Sequence, residues 1–239
     1  MNLKPWSRVT KSLGGGRMGE EIRRTLASSA YDDIRGDIMN CQLEPQKKLR
    51  LKELTERYGY SAAPLREALS RLVSENLVVA EEQRGFYVSK VSQDDLNDLT
   101  FVRRQVETIA LRASIERGDR EWEGNIVGLF HRLSHTPVAD DVGPNMHGAE
   151  WRSIHKSFHR ALVSECGSQR LLAIRDLLFD EADRYRRLSV SRGPDLRDIE
   201  GEHKAIFEAA IARNADLACS LMDDHIKKTA EHAKLAMTE

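Results

Sequence analysis

Apolar residues recur every four positions at Ile22, Leu26, Ala30, Ile34 and Ile38, a period that predicts a helix over about 20–40, closed by Leu43-Glu44-Pro45. Upstream, residues 1–19 contain Pro5 and Gly14-Gly15-Gly16 and no sustained period, so an arm of low order is expected there. Leu51 to Tyr58 reads as a short helix stopped by Gly59, a residue that tolerates positive φ. Ser61 is a natural N-cap for the next helix, and Pro64 suits its first turn because the missing N–H would have no partner there. Leu65, Ala68, Leu69, Leu72 and Val73 then form one apolar stripe, while Arg66, Glu67, Ser70 and Arg71 occupy other faces. Leu77-Val78-Val79-Ala80 and Phe86-Tyr87-Val88, separated by a charged segment ending in Arg84-Gly85, predict a hairpin. Beyond Val91 the apolar period is helical throughout. Ser92 with Asp95 opens a helix to about Gly118, and others follow at about 120–135, 148–166, 168–191, 196–213 and 215–236. The longest irregular gap, Thr136 to His147, holds Pro137, Gly143 and Pro144 and reads as a surface connection.

Helix, short helix, turn, second helix and hairpin, in that order, predict a winged helix-turn-helix. The expected fold is mainly α: a flexible arm over 1–19, a winged helix-turn-helix over 20–91, and an all-helical bundle of six to seven helices over 92–239. The 239 residues suffice for two cores, and 40% hydrophobic with 31% charged residues excludes a disordered chain. Charge is split. Residues 1–92 carry 16 Lys+Arg against 12 Asp+Glu, and the remainder carries 21 against 26, so a basic front precedes an acidic back. No run approaches the roughly 20 apolar residues of a membrane span and no secretory leader is evident, so the cytoplasm is the expected compartment. Cys41, Cys166 and Cys219 are widely spaced and fit neither a disulfide framework nor a zinc ribbon.

A helix spanning 63–76 would enter a major groove with only its N-terminal side chains reaching base edges. Arg66 is the strongest candidate, since a guanidinium engages guanine O6 and N7 together or clamps a phosphate. Ser61, Ala63, Pro64 and Arg71 flank it, and Lys52 and Arg84 are placed for phosphates, with Gly85 allowing close backbone approach. Lys11 and Arg17 add cations to the arm. A single surface Arg is usually only solvated; the ordered set carries the DNA reading.

The block Ser61-x-x-Pro64-Leu65-Arg66-Glu67-Ala68-Leu69-x-x-Leu72, with Arg84-Gly85 before a strand, resembles the GntR regulators. That family commonly has a basic residue two positions before Pro64, where this chain has Ala62. Residues 93–236 resemble the FCD ligand-binding domain of the FadR subfamily, through Arg103-Arg104-Gln105-Val106-Glu107, His155-Lys156-Ser157-Phe158-His159, Glu202-His203 and Met222-Asp223-Asp224-His225. The resemblance implies a homodimeric regulator, most often a repressor, reading a palindromic operator under control of a small organic acid. It also implies metal ligation by His155, His159, His203 and His225, and an inward Arg103 that pairs with the acid.

The residues bear on this independently. His155 and His159, at i and i+4, share one helix face, and His203 and His225 lie near opposite ends of consecutive helices, where an antiparallel turn brings them level. Imidazole donors suit Zn²⁺ first, with Ni²⁺, Co²⁺ and Mn²⁺ as alternatives. Relatives usually place Asp at the position of His155, and the swap leaves no carboxylate to offset the ion, so an anionic ligand would complete the shell. Arg184, Tyr185 and Arg187 are further effector candidates, while His131, His135, His147 and His232 read as surface or core residues. Two rival functions are a metal-dependent hydrolase, for which no H-E-x-x-H occurs, and a helical interaction protein stapled by its metal.

Overall fold

The computed structural model describes residues 25–137, 148–190 and 197–238. The arm with Lys11 and Arg17, the segment carrying Ile22, and His147 lie outside the described residues. The first helix, α1 (Leu26–Met39), begins later than its apolar period suggests, because Thr25 has extended backbone and its hydroxyl accepts the Ser28 amide. Leu26 is consequently exposed, and Ala27, Ala30, Ile34 and Ile38 form the buried face.

Next come β1 (Lys48–Leu49), α2 (Leu51–Tyr58), α3 (Ala62–Ser74), β2 (Val78–Glu81) and β3 (Gly85–Val88). Gly59 closes α2 in the left-handed region at φ 76°, as its position predicts. Ser61 takes the N-cap position of α3 with extended backbone, but its hydroxyl makes no capping bond. The two-residue β1 is a strand the alternation does not announce; it pairs antiparallel with Phe86 and Tyr87, giving the sheet order β1-β3-β2. Leu65, Leu69 and Leu72 of α3 pack with Ile34 and Ile38 of α1, Leu54 of α2, and Val78 and Val88 of the sheet into one core.

The helices that follow are α4 (Gln93–Arg117), α5 (Arg120–His135), α6 (Ala149–Leu162), α7 (Gln169–Val190), α8 (Ile199–Ile211) and α9 (Ala215–Thr238). Side-chain caps start five of them: Ser92 accepts the Asp95 amide, Asp119 those of Glu121 and Trp122, Ser168 that of Leu171, Asp198 that of Gly201, and Asn214 that of Leu217. α6 stops at Leu162, short of the expected 166, and Gly167 turns the chain at φ 76°. Leu111, Trp122, Ile126, Phe158, Leu162, Ile206 and Met222 anchor a second core. None of the described helices is long and apolar enough to cross a membrane. Cys166 and Cys219 are buried and Cys41 partly so, all as free thiols.

α7 joins the two parts. Asp180 accepts from Arg35 of α1 at 2.6 Å, Glu181 from Asn76 at 2.9 Å, and Arg187 donates to Asn40 at 2.8 Å. Arg184 of the same helix donates to the carbonyl of Ser89 at 2.7 Å.

Candidate metal centre and nucleic-acid interface

α6 supplies His155 and His159, α8 supplies His203, and α9 supplies His225; one ligand atom from each lies within 4.8 Å of all the others. All four rings are buried. Nε2 of His159 stands 3.1 Å from Nε2 of His203, close to the ~3.3 Å separation of two nitrogens on a tetrahedral ion with bonds of about 2.0–2.1 Å. Trp151 stacks on His155 at 4.6 Å, and the Phe179 ring closes the other side, 6.0 Å from His155 and 5.8 Å from His159.

Burial drives His155 and His159 well below the usual histidine range, and the neighbouring imidazoles add to the effect. Burial also lowers His225, against the pull of Glu202. Neutral rings with free lone pairs are the form a metal requires. Glu202 Oε2 accepts from Nδ1 of His225 at 2.7 Å, which leaves Nε2 as that ring's lone pair. Burial pushes the Glu202 carboxyl up, but hydrogen bonds from His225 and Arg197 outweigh it and hold the group at about 2. Nδ1 of His159 is buried without a hydrogen-bond partner. Donor type, protonation state and the histidine–carboxylate pair all fit a divalent metal.

Beside the rings lies a narrow cleft, partly open to solvent, lined by His155, His225, Trp151, Arg103, Arg186 and Arg197 among others. Arg103 is buried, 3.5 Å from Glu107, which also faces the fully buried Arg175 at 3.0 Å. Both guanidinium groups lie against the Phe179 ring, at 4.9 Å and 4.5 Å. Arg103 Nε, Arg175 Nε and both Glu107 oxygens nevertheless lack a partner in hydrogen-bond geometry. Arg175 is also bound to Asp176, its Nη1 donating to Oδ1 at 3.2 Å, so Glu107 and Asp176 together offset the two guanidinium groups. Burial lowers Arg103 from the usual arginine range. Asp183 takes Arg186 and Arg187, whose charges hold its carboxyl below the usual range despite burial.

Of the residues singled out in the sequence, the histidine quartet and Arg103 come together. Arg184 and Tyr185 do not join them. They line a separate cavity against Leu77, Val78 and Ser89, with the Tyr185 hydroxyl donating to Asp95. The face of α7 that reaches the histidines carries Arg175, Phe179, Asp183 and Arg186 instead. Their i, i+4, i+8, i+11 spacing was readable, but charged residues surround α7 on every side, and nothing local marks which ones turn inward.

On the winged part, Lys52, Ser61, Ala63 and Arg66 are exposed and Pro64 is half-buried along one side of α2 and α3. Arg84 and Gly85 form the exposed tip between β2 and β3, where Gly85 has φ 99° and Arg84 pairs with Glu81 at 3.2 Å. Arg71 differs from the others. Its guanidinium lies 4.0 Å above the Tyr31 ring of α1, in the last turn of α3 and away from that helix's N-terminal end.

Residues 26–88 match the model for bacterial regulatory proteins of the gntR family, and residues 98–228 match the FCD domain. The chain is 37% identical over 209 residues to the HTH-type transcriptional regulator BphR of Paraburkholderia xenovorans (strain LB400), spanning 86% of this chain and 84% of that one. It is 36% identical over 200 residues to the HTH-type transcriptional repressor GlaR of Escherichia coli (strain K12), spanning 82% and 90%. Its fold resembles that of E. coli McbR/YncC with a TM-score of 0.71 at 18% identity, over 89% of this chain and 98% of that one.

Proposed function

Since this chain belongs to the GntR family of bacterial regulatory proteins, carries an FCD domain and is a DNA-binding transcription regulator, we propose that a metal-anchored organic acid controls its grip on DNA. One observation carries the reading: four buried imidazoles from three helices converge beside a cleft walled by the buried Arg103, whose Nε has no hydrogen-bond partner. His155, His159, His203 and His225 would hold the ion, Zn²⁺ by donor type, with Ni²⁺, Co²⁺ or Mn²⁺ as alternatives. When bound, the ion supplies positive charge with no carboxylate among its four protein ligands to offset it. Arg103 pairs with the acid's carboxylate, and Trp151 and Phe179 wall its carbon skeleton away from water. Arg184 and Tyr185 take no part in this site.

At the other end, α3 enters the major groove of a palindromic operator, Arg66 reads base edges, and Lys52 with the Arg84-Gly85 tip holds phosphates. The protein acts in the cytoplasm as a homodimer whose two reading heads stand about one turn of B-DNA apart, and it acts as a repressor. The acid binds one arrangement of the helices better than the other and shifts their populations. Hydrolysis is disfavoured: the relatives are regulators, and Glu202, the nearest carboxylate, is committed to His225 and Arg197.

The test combines elemental analysis with thermal shifts in a panel of small organic acids, with and without chelator. Near-stoichiometric metal and an acid that stabilises only the metal-loaded protein are expected. Metal retained by His155→Ala/His159→Ala would refute the ligand set. A metal-loaded protein whose stability and operator affinity ignore every acid would reduce the ion to a staple.

A further inference from the structure

The inner side of α4 carries Arg103, Glu107, Leu111 and Ser114 into the core. Its outer side carries Asp98, Phe101, Val102, Gln105, Ile109 and Arg112, all exposed. Phe101, Val102 and Ile109 expose 62%, 38% and 58% of their surface, on a helix whose other outward residues are polar or charged. Large apolar side chains grouped on one face mark a contact surface.

We propose that this face is where two copies of the chain meet, with their α4 helices antiparallel and the two-fold axis passing at Gln105. An isologous contact requires that if residue i meets j, j also meets i. The outer face satisfies this twice about Gln105. Phe101 and Ile109 stand four residues to either side of it, so each faces the other across the axis. Asp98 and Arg112 stand seven residues to either side, about 10 Å along the helix, so each carboxylate faces a guanidinium. A parallel pair would instead set Asp98 against Asp98 and Arg112 against Arg112, so charge selects the antiparallel arrangement. Arg112 is already held at the edge of the face by Asp216 at 2.7 Å, and Leu217, next to Asp216, extends the exposed apolar surface there. The like charges Asp94 and Glu116 lie eleven residues from Gln105, about 16 Å from the axis, where helices crossing at an angle have diverged.

The assignment rests on the reading of the chain as a dimeric regulator, and it places the dimer axis one helix thickness from Arg103. It is tested on the full-length protein by sedimentation and by cross-linking through Gln105→Cys. Residues on the axis face themselves, and helix axes 8–10 Å apart bring such Cα atoms within disulfide range. Oxidation is expected to convert Gln105→Cys largely to covalent dimer, while the wild type, with Cys41, Cys166 and Cys219, forms none. Ile109→Glu should raise the dimer dissociation constant at least 100-fold and Asp98→Arg at least tenfold, with circular dichroism and metal content unchanged. A wild-type monomer, or a dimer that tolerates Ile109→Glu and leaves Gln105→Cys uncoupled, overturns the interface. A dimer formed on another face would do so while leaving metal content and acid-dependent operator release intact, so the two proposals fail separately.

Discussion

Glu202 touches only the far side of a histidine ring, yet it decides which nitrogen that ring can offer. By accepting from Nδ1 of His225 at 2.7 Å while bound by Arg197 at 2.5 Å, it fixes the tautomer with Nε2 free. Glu202→Gln is expected to weaken metal binding by about 10–100-fold, read by competition with a chromogenic chelator. Equal affinity in the two proteins would remove Glu202 from this role. Arg103→Ala should abolish the response to the organic acid and leave operator affinity in its absence unchanged, measured by fluorescence anisotropy, because Glu107 keeps Arg175 as a partner. His155 and His159 were legible by their i, i+4 spacing, and His203 and His225 joined them through the FCD resemblance and the antiparallel order of their helices. The cluster of Arg103, Glu107, Arg175 and Phe179 was not legible, since Arg175 meets Glu107 across two helices far apart in the chain.

α3 was the most legible element. Its buried residues Leu65, Ala68, Leu69 and Leu72 follow the helical period, and Gly59 closes the helix before it at φ 76°. Placement of polar residues on it was less legible: Arg66 and Arg71 look equivalent in sequence, but Arg71 lies on Tyr31 while Arg66 is exposed in the first turns. Arg66→Ala should therefore cost about 1–3 kcal/mol on the native operator and much less on random DNA, in parallel titrations at fixed salt. Equal loss on both would make Arg66 a phosphate contact. β1 escaped notice because two residues hold no alternation; its existence depends on Phe86 and Tyr87, nearly forty positions away. The start of α1 was misjudged because the period through Ile22 and Leu26 outruns the cap at Thr25.

Gathering buried neutral histidines makes the metal-free molecule sensitive to acid. Their folded-state affinities for protons lie below the ordinary value of 6.5, so the unfolded chain binds more protons as pH falls. The contribution to stability is whole above about 6.5 and is lost as pH drops through that value towards the lower folded-state ones. Urea midpoints of chelated protein should fall between pH 7.5 and 5.5, a window in which few carboxylates titrate. A flat profile would mean that the rings are already charged or hydrated in the fold. The same molecule-wide view applies to α7, which presents Phe179, Asp183 and Arg186 to the cleft and Asp180, Glu181, Arg184 and Arg187 to the winged part. One rod interleaving two sets of contacts within each turn cannot inform one end without hearing from the other. Thermodynamic reciprocity then fixes a number: whatever factor the acid takes from operator affinity, a saturating operator duplex must take from the acid's affinity. Calorimetric titration of the acid with and without duplex reads that second factor directly.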